Sequence, residues 1–310
     1  MSLRSTLAAG ISGGGGGNRL VTAILISLAG IFMLDLMGLI IKYLSPRYGP
    51  AELAVYRNLL AMIPSLTMLS LSASWSAQGR PVVIRQWPLA FLRGGCVSVA
   101  QFLFYMSLGR LEFATASTIA FSMSLFMTAF SVPLLGGRVG AMRWLAVGIG
   151  FAGVVMVMGP GSDAFTADAL LPLGAAALYA LTGVTARLID GQVPTPLLDL
   201  YSTSAALVGA TVLCLSTSGF TPIAATEDLG WILAMGLVGG SGVLCLILSF
   251  RMTEPANLAP FQYFGIPIAF ALGWLIFDEA PFDRLMPGVL LIVAGGLMIV
   301  WRERRLKAVR

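Results

Sequence analysis

From residue 20 onward, long apolar stretches alternate with short polar connections. Ten of these stretches have about the 17–25 residues that a helix needs to cross the hydrocarbon of a bilayer. They fall at 20–43, 51–71, 88–108, 113–135, 141–159, 167–188, 195–216, 228–250, 255–277 and 285–302. Lipid offers no partner for unpaired backbone groups, and the stretches do not alternate as barrel strands do, so only helices fit. The pattern predicts an all-α membrane protein with ten transmembrane helices.

The composition supports this prediction and excludes several classes of protein. Of 310 residues, 57% are apolar and 11% are charged, and the mean hydropathy is +0.89. Soluble domains have about 45–50% apolar and about 25% charged residues. A soluble enzyme, a disordered chain and a nucleic-acid-binding protein are therefore excluded. We expect the lipid bilayer and a small molecule as partners, and no nucleic acid.

The residue types limit the chemistry further. The chain has no histidine, which excludes a Ser-His-Asp triad, a histidine proton relay and a histidine-liganded zinc site. Cys96, Cys214 and Cys245 are far apart inside apolar stretches and are typical of small buried side chains. We therefore expect no catalytic residues, no metal and no cofactor, and we predict that the protein is not an enzyme.

The distribution of basic residues predicts the orientation. With the N-terminus inside, thirteen of the nineteen Lys and Arg residues fall in inner segments and four in outer segments. Because positive loops stay in the cytoplasm, both termini are expected there. Residues 1–19, with a run of five glycines, are expected to form a flexible tail, and residues 303–310 form a basic tail.

An internal repeat divides the remaining chain. An offset of 142 residues aligns 112–158 with 254–300 without a gap, so that loops and spans coincide. Two five-helix repeats follow, 20–159 and 167–302. Because five is odd, the second repeat inserts inverted relative to the first, the arrangement on which many alternating-access carriers are built. A duplicated channel or membrane enzyme stays open as an alternative.

Several motifs then suggest a family. Lys42, Pro50 and Arg57 lie around the first outer loop, and the second half carries 254–260, Phe277-Asp278-Glu279, Gly288 and Gly295-Gly296. With the five-plus-five layout, these residues resemble the EamA family of the drug/metabolite transporter superfamily over about 20–302. The first repeat departs from the pattern, with Gly136-Gly137 where the second has Asp278-Glu279.

The resemblance implies a ten-helix carrier in the inner (plasma) membrane, usually an exporter of small metabolites. Its aromatic and neutral amino-acid exporter branch (YddG-like) is our first expectation. The alternative is a carrier of a larger metabolite, such as S-adenosylmethionine, a nucleotide-like cofactor or riboflavin. No G-x-x-x-x-G-K-[ST] motif is present, so gradients would drive a rocking of one repeat against the other. A monomer suffices for this mechanism, and the oligomeric state is left open.

Charges inside the spans are the first candidates for function, since each costs about 2.5–3.5 kcal/mol at a helix centre. By depth, Asp35 and Arg57 form one possible pair in the outer half, and Arg93 and Asp199 form a second in the inner half. They predict a gate or a counter-charge for substrate. Structural pairing and snorkelling to the headgroups are the alternative.

Polar and aromatic residues inside spans are also costly without a partner and should face protein, water or substrate. The predicted substrate-binding residues are Asp35, Ser98, Gln101, Tyr105, Ser122, Tyr179, Ser241, Gln262 and Tyr263. Pro260, Gly265 and Pro267 are expected to open the ninth helix, and Gly153 and Gly295 to allow close helix packing.

Overall fold

The computed structural model describes residues 16–72, 75–76, 79, 82–83, 85–135, 141–158, 167–185, 188, 193–252, 258, 261–279 and 282–308. All regular elements in these ranges are helical. In chain order they are α1 Gly16–Leu44, α2 Pro50–Ser70, α3 Trp87–Leu108, α4a Phe113–Ala120, α4b Met123–Leu135, α5 Ala141–Met158, α6 Leu170–Thr185, α7 Thr195–Ser216, α8 Thr226–Met252, α9 Gly265–Phe277 and α10 Phe282–Ala308.

These helices match the ten predicted spans. Seven are long and apolar enough to cross a bilayer, with α4a and α4b counted as one span over Phe113–Phe130. Shorter apolar segments at Trp144–Met158, Gly265–Phe277 and Leu285–Met298 lie in α5, α9 and α10. The predicted fold class, an all-α multi-pass membrane protein with ten helices, is confirmed.

Most helix ends agree with the sequence prediction to within a few residues. The largest difference is at α9, which begins at Gly265 where the predicted span begins at 255, and smaller ones lie at the termini, where α1 begins at Gly16 and α10 continues to Ala308. Residues 1–15 of the predicted tail, the Gly136-Gly137 turn and Pro260 lie outside the described residues.

Several helix contacts of the two repeats correspond to each other. If each helix of the first repeat is exchanged with its counterpart five helices later, these contacts map onto one another, whereas the α2–α3 contact has no α7–α8 counterpart of similar extent among the described residues. The pair α1–α8 corresponds to α6–α3, α2–α8 to α7–α3, and α4b–α6 to α9–α1. The pairs α2–α7, α4a–α9 and α5–α10 each map onto themselves. These correspondences agree with the repeat in the sequence, and the inversion of the second repeat stays a prediction.

The two repeats are interleaved rather than separate. The most extensive helix–helix contacts in the described part of the chain all join a helix of one repeat to a helix of the other. They include α1–α8, α5–α10, α3–α7 and α2–α7. The two groups of five helices are thus defined by the sequence, and they do not pack as two separate bundles.

The fourth span is interrupted, which was not predicted, and the interruption lies at the repeat offset from a second one in the ninth span. The fourth span, predicted as one helix over 113–135, is broken at Phe121-Ser122, 142 residues before a second break at Tyr263-Phe264. At both breaks the backbone changes to i→i−3 hydrogen bonds. The Ser122 N–H donates to the Ile119 carbonyl at 3.0 Å, as the Phe264 N–H donates to the Phe261 carbonyl at 3.1 Å.

Only the second break has a proline, Pro267, to mark it in the sequence. Tertiary packing supplies a cause for the first. The Phe121 ring lies against α9 where Gly265 has no side chain, so that a Cβ there would be 2.1 Å from the ring. The sequence alone did not reveal this contact.

Glycines also bring α5 and α10 together. A Cβ on Gly153 would lie 2.5 Å from the Gly288 carbonyl oxygen, and one on Gly295 would lie 2.6 Å from the Ala146 carbonyl oxygen. The structure thus places both predicted packing glycines at points where backbone meets backbone.

Candidate transport site

A hydrogen-bonded polar group lies between α2 and α3. The side-chain amides of Asn58 and Gln101 bond to each other in both directions, at 2.7 and 3.1 Å. Arg57 Nη1 donates to Asn58 Oδ1 at 3.0 Å. All three side chains are buried. The network fixes the position of Arg57 beside two amides that already satisfy each other.

The inner half of the same helices carries a second set of polar contacts. Ser65 Oγ on α2 donates to Asp199 Oδ2 on α7 at 2.7 Å. Arg93 Nε on α3 donates to the Thr182 carbonyl oxygen on α6 at 3.1 Å. Polar side chains from α2, α3, α6 and α7 therefore converge here, and we call them the guanidinium cluster. Its members are Arg57, Asn58, Ser65, Arg93, Gln101, Tyr105, Tyr179, Thr182 and Asp199.

Tyr105 and Tyr179 belong to this cluster through Arg57. Tyr105 is buried on α3 and Tyr179 is half-buried on α6, and both lie within electrostatic reach of the Arg57 charge. Ser98 lies three residues before Gln101 on the same side of α3. It packs against α7 at Gly209, which has no side chain. Its Oγ has no hydrogen-bond partner among the described residues.

Asp35 lies on α1, about 14 Å of helix before the outer end at Leu44. Its side chain is buried, with 8% of the residue exposed. The Oδ2 atom has no hydrogen-bond partner in the part of the chain that the structure describes. An unpaired carboxylate oxygen inside a span is costly, which makes Asp35 a candidate ligand-binding group.

Asp35 belongs to a polar face between α1, α4 and the ninth span. One helical side of α1 carries Ser27, Asp35 and Lys42, and Gln262 Nε2 donates to Ser27 Oγ at 3.0 Å. On α4a and at its break, Thr118 Oγ1 and Ser122 Oγ are buried with no partner among the described residues. This is a second place where unpaired polar atoms accumulate.

Tyr263, at the helix break of the ninth span, contacts α4b and α10. Its hydroxyl is 2.9 Å from Ser124 Oγ. The ring fills the space left by Gly296, where a Cβ would lie 1.5 Å from the hydroxyl oxygen. Ser241 is half-buried on α8, next to the packing glycines Gly240 and Gly242. The structure thus sorts the predicted polar residues into the guanidinium cluster, the α1–α4–α9 face and individual packing positions.

The two predicted charge pairs do not meet in this conformation. Neither Asp35 with Arg57 nor Arg93 with Asp199 is among the ion pairs of the described residues. Arg57 lies instead within electrostatic reach of Asp199, and Arg93 does too. A gating role for these four charges stays a prediction.

At the outer side, ion pairs join the two repeats. Lys42 Nζ lies 2.5 Å from Glu279 Oε1, and it also donates to the Leu111 carbonyl oxygen at 2.8 Å. The other oxygen of Glu279 accepts a hydrogen bond from the Phe113 N–H at 2.8 Å. The α9–α10 turn is thereby held on the ends of α1 and α4a.

Two further ion pairs lie on the same side. Arg47 pairs with the buried Asp228 at 2.8 Å, and Arg110 pairs with Asp168 at 2.8 Å on the surface. Tyr48 OH donates to Asp228 Oδ2 at 2.9 Å and accepts from the Ala224 N–H at 3.1 Å. Burial raises the pKa of the Tyr48 hydroxyl above its ordinary value. These contacts close the outer side over α7 and α8.

Glu52 completes this closure and was missed in the sequence. It is buried in the first turn of α2 and accepts hydrogen bonds from Tyr56 OH at 2.9 Å, from the Thr221 N–H at 3.0 Å and from Thr221 Oγ1. Asn58 was missed as well, although an amide beside Arg57 in an apolar helix could have indicated it. Glu52 resembles an ordinary helix-start residue, so nothing in the sequence distinguished it.

Across the described residues, no group of three or more Asp, Glu, Cys or His side chains could hold a metal ion. The polar groups that the structure brings together are amides, hydroxyls, guanidinium groups and single carboxylates. Such groups bind and orient a small polar molecule.

Comparisons with known proteins agree with this arrangement. The profile of the EamA-like transporter family matches residues 21–159. An S-adenosylmethionine uptake transporter of Rickettsia bellii is 24% identical over 265 residues, covering 85% of this chain and 88% of that protein. The pseudopaline exporter CntI of Pseudomonas aeruginosa is 25% identical over 284 residues, covering 91% and 94%.

A riboflavin transporter of Rhizobium johnstonii is 31% identical over 173 residues, covering 55% of this chain and 56% of that protein. One solved crystal structure superposes on 92% of this chain and 99% of its own, with a TM-score of 0.64 at 20% identity, which shows the fold alone. None of these relatives is named as an amino-acid exporter. The chain is a multi-pass protein of the inner membrane, its residues 21–159 are similar to the EamA-like transporter family, and it is similar over most of its length to bacterial transporters of small metabolites.

Proposed function

We propose that this protein is a gradient-driven secondary carrier that binds a positively charged group of a small metabolite at Asp35. The observation that carries the proposal is the buried Oδ2 atom of Asp35, which has no partner among the described residues. Ionisable groups inside spans are costly and mark substrate or ion pathways in transporters. In inverted-repeat carriers the substrate site lies near the bilayer midplane between the repeats.

The surrounding cations leave Asp35 available to a ligand. Lys42, on the same side of α1, is already bonded to Glu279 and to the Leu111 carbonyl oxygen. Among the residues that the structure describes, Arg57 does not form an ion pair with Asp35. A cationic substrate group would therefore supply the charge that this carboxylate lacks.

The named relatives support a larger metabolite over an amino acid as the substrate. S-adenosylmethionine, riboflavin and pseudopaline are the compounds in their names. S-adenosylmethionine carries a sulfonium and an ammonium group, either of which suits Asp35. The names include both uptake transporters and an exporter, so the direction of transport needs its own measurement. We propose a metabolite of this class, carried by alternating access.

Counterflow into proteoliposomes tests this proposal. The panel is labelled S-adenosylmethionine and riboflavin against labelled phenylalanine, threonine and methionine. We expect saturable exchange of S-adenosylmethionine, abolished by Asp35→Asn and retained by Asp168→Asn, which removes a carboxylate on the outer surface instead. Thermal unfolding of both purified variants checks that they are folded.

Two results would contradict the proposal in different ways. Exchange of the amino acids alone would return the substrate to the amino-acid exporter branch. A folded Asp35→Asn protein that exchanges S-adenosylmethionine at the wild-type rate would remove Asp35 from the site.

A further inference from the structure

The guanidinium cluster contains more positive than negative charge. Within the described residues it holds two guanidinium groups, Arg57 and Arg93, and one carboxylate, Asp199. No ion pair within 4.0 Å joins Asp199 to either arginine. Burying an uncompensated charge is strongly unfavourable, so the surplus cation requires an anion that the described protein groups do not supply.

Arg57 is the better placed of the two arginines to receive that anion. Its exposed fraction is 8%, whereas Arg93 is half-buried. A guanidinium group carries five N–H donors, and the described hydrogen bond of Arg57 is the one to the Asn58 amide. The Nε atom is buried with no partner among the described residues. A bond to a neutral amide uses one N–H donor of the guanidinium group and does not neutralise its charge, whereas a carboxylate can accept two N–H bonds from it and neutralises the charge.

The second repeat has no cation at the corresponding position. The offset of 142 places Asp199 opposite Arg57, and the spacing of 145 between the starts of α2 and α7 places Ser202 there. In either register the cationic position occurs in the first repeat alone.

We propose that Arg57 binds a carboxylate of the transported metabolite, so that the substrate carries both a cationic group and a carboxylate. This inference rests on the proposed carrier function and specifies its substrate class. Tyr105 and Tyr179, from α3 and α6, lie within electrostatic reach of the Arg57 charge and line the same cluster. Asn58 and Gln101 hold the guanidinium group in position.

The test begins with the wild-type protein, so that it does not depend on the folding of any variant. Unlabelled S-adenosylmethionine and its decarboxylated analogue, which keeps the sulfonium and amine, compete with labelled S-adenosylmethionine in counterflow. We expect the analogue to need about tenfold or more higher concentration for half-inhibition, because a charge-assisted hydrogen bond is lost. Equal competition by the two compounds would overturn the inference.

Variants then assign the discrimination to Arg57. In Arg57→Gln the two compounds should compete equally, whereas Arg57→Lys should keep part of the difference. Arg110→Gln, at an exposed outer arginine, is the matched control and should discriminate as the wild type does. A folded Arg57→Gln protein that still discriminates tenfold would overturn the assignment.

An inorganic anion could neutralise the same group, and a change of buffer separates the two sources. If the substrate supplies the carboxylate, replacing chloride with gluconate leaves the discrimination unchanged. Chloride-dependent exchange without discrimination would overturn the inference. Exchange of riboflavin without S-adenosylmethionine would overturn this inference and the role of Asp35, because riboflavin has neither a carboxylate nor a cationic group, and would leave only the carrier function. A wild-type protein that exchanges nothing in the panel would overturn the proposed function and this inference with it.

Discussion

Lys42 and Glu279 connect the two repeats at the outer side, with Nζ 2.5 Å from Oε1. Lys42 lies in the last turn of the first helix, and Glu279 lies in the turn between the last two helices. The Phe277 ring lies 5.2 Å from the same ammonium group and covers it on one side. Both charged residues are among those on which the family resemblance rests, and the structure shows that they are partners.

The inner side lacks the same pair of residues in the sequence. At the repeat offset of 142, the counterpart of Glu279 is Gly137, and at an offset of 145 the counterpart of Lys42 is Arg187. A cation is present in both repeats, but the carboxylate is present in only one. We therefore expect the outer-closed conformation to be the more stable one.

Breaking the Lys42–Glu279 pair should increase the population of the conformation that is open at the outer side. Cys214, at the outer end of α7, is fully buried in the same core cluster as Leu44 and Phe113, and it can report opening. Both proteins carry Cys96→Ala and Cys245→Ala, so that Cys214 is the residue labelled. We expect an external, membrane-impermeant thiol reagent to label Cys214 several times faster in the Glu279→Gln variant than in the parent with Glu279.

The matched control is Asp168→Asn, which breaks the exposed Arg110–Asp168 pair and should leave the labelling rate nearly unchanged. Equal labelling of the Glu279→Gln variant and its parent would show that this pair does not hold the outer side closed.

Gly265 should tolerate no side chain while Phe121 is present. A Cβ there would lie 2.1 Å from the Phe121 ring, so Gly265→Ala should cost about 1–3 kcal/mol through overpacking. Phe121→Leu in the same protein should recover part of that loss. Thermal unfolding in detergent measures both effects. Gly148→Ala, where a new Cβ would have open space, is the control, and equal melting of the two Gly→Ala variants would contradict the contact.

Asn58 and Gln101 should be coupled in stability. Asn58→Leu leaves the buried Gln101 amide without its partner, and such an orphaned group costs about 1–3 kcal/mol. Adding Gln101→Leu removes the orphan, so the double variant should lose less than the sum of the two single variants. A double-mutant cycle by thermal unfolding measures the coupling. Additive losses would show that the amides act independently.

Tyr48→Phe should destabilise the outer side more than Tyr43→Phe. Removing the Tyr48 hydroxyl leaves the buried Asp228 Oδ2 and the Ala224 N–H without this partner, at a cost of about 1–3 kcal/mol. Tyr43 is exposed and packs its ring on Trp231, a contact that phenylalanine preserves. The melting temperatures of the two variants test the difference, and similar values would contradict it.

The sequence was sufficient for the spans because their apolar length is a direct consequence of the bilayer. It was also sufficient for the break near Pro267, where a missing N–H interrupts the helix. No residue of the fourth span by itself marks the break at Phe121-Ser122, since the break depends on a ring from one repeat meeting a glycine of the other. The repeat offset, applied to the known break, would have indicated its position.

The sequence identified candidate residues for the site, but it did not identify the side chains with which they interact. Arg57, Gln101, Tyr105 and Tyr179 were identified as costly groups in spans, yet depth along the helices paired Arg57 with Asp35. The structure places Asn58 between Arg57 and Gln101 instead. Depth fixes only one coordinate of a side chain, and helix rotation and neighbour identity come from packing.

The α5–α10 contact limits how such a carrier can move. Where Gly153 and Gly295 bring backbone against backbone, no flexible side chain separates the two helices, so sliding would force carbonyl groups past Cα atoms. This close contact joins one helix of each repeat. Because the most extensive helix contacts of the described residues also join the two halves of the sequence, we expect each unit that moves to combine helices from both halves.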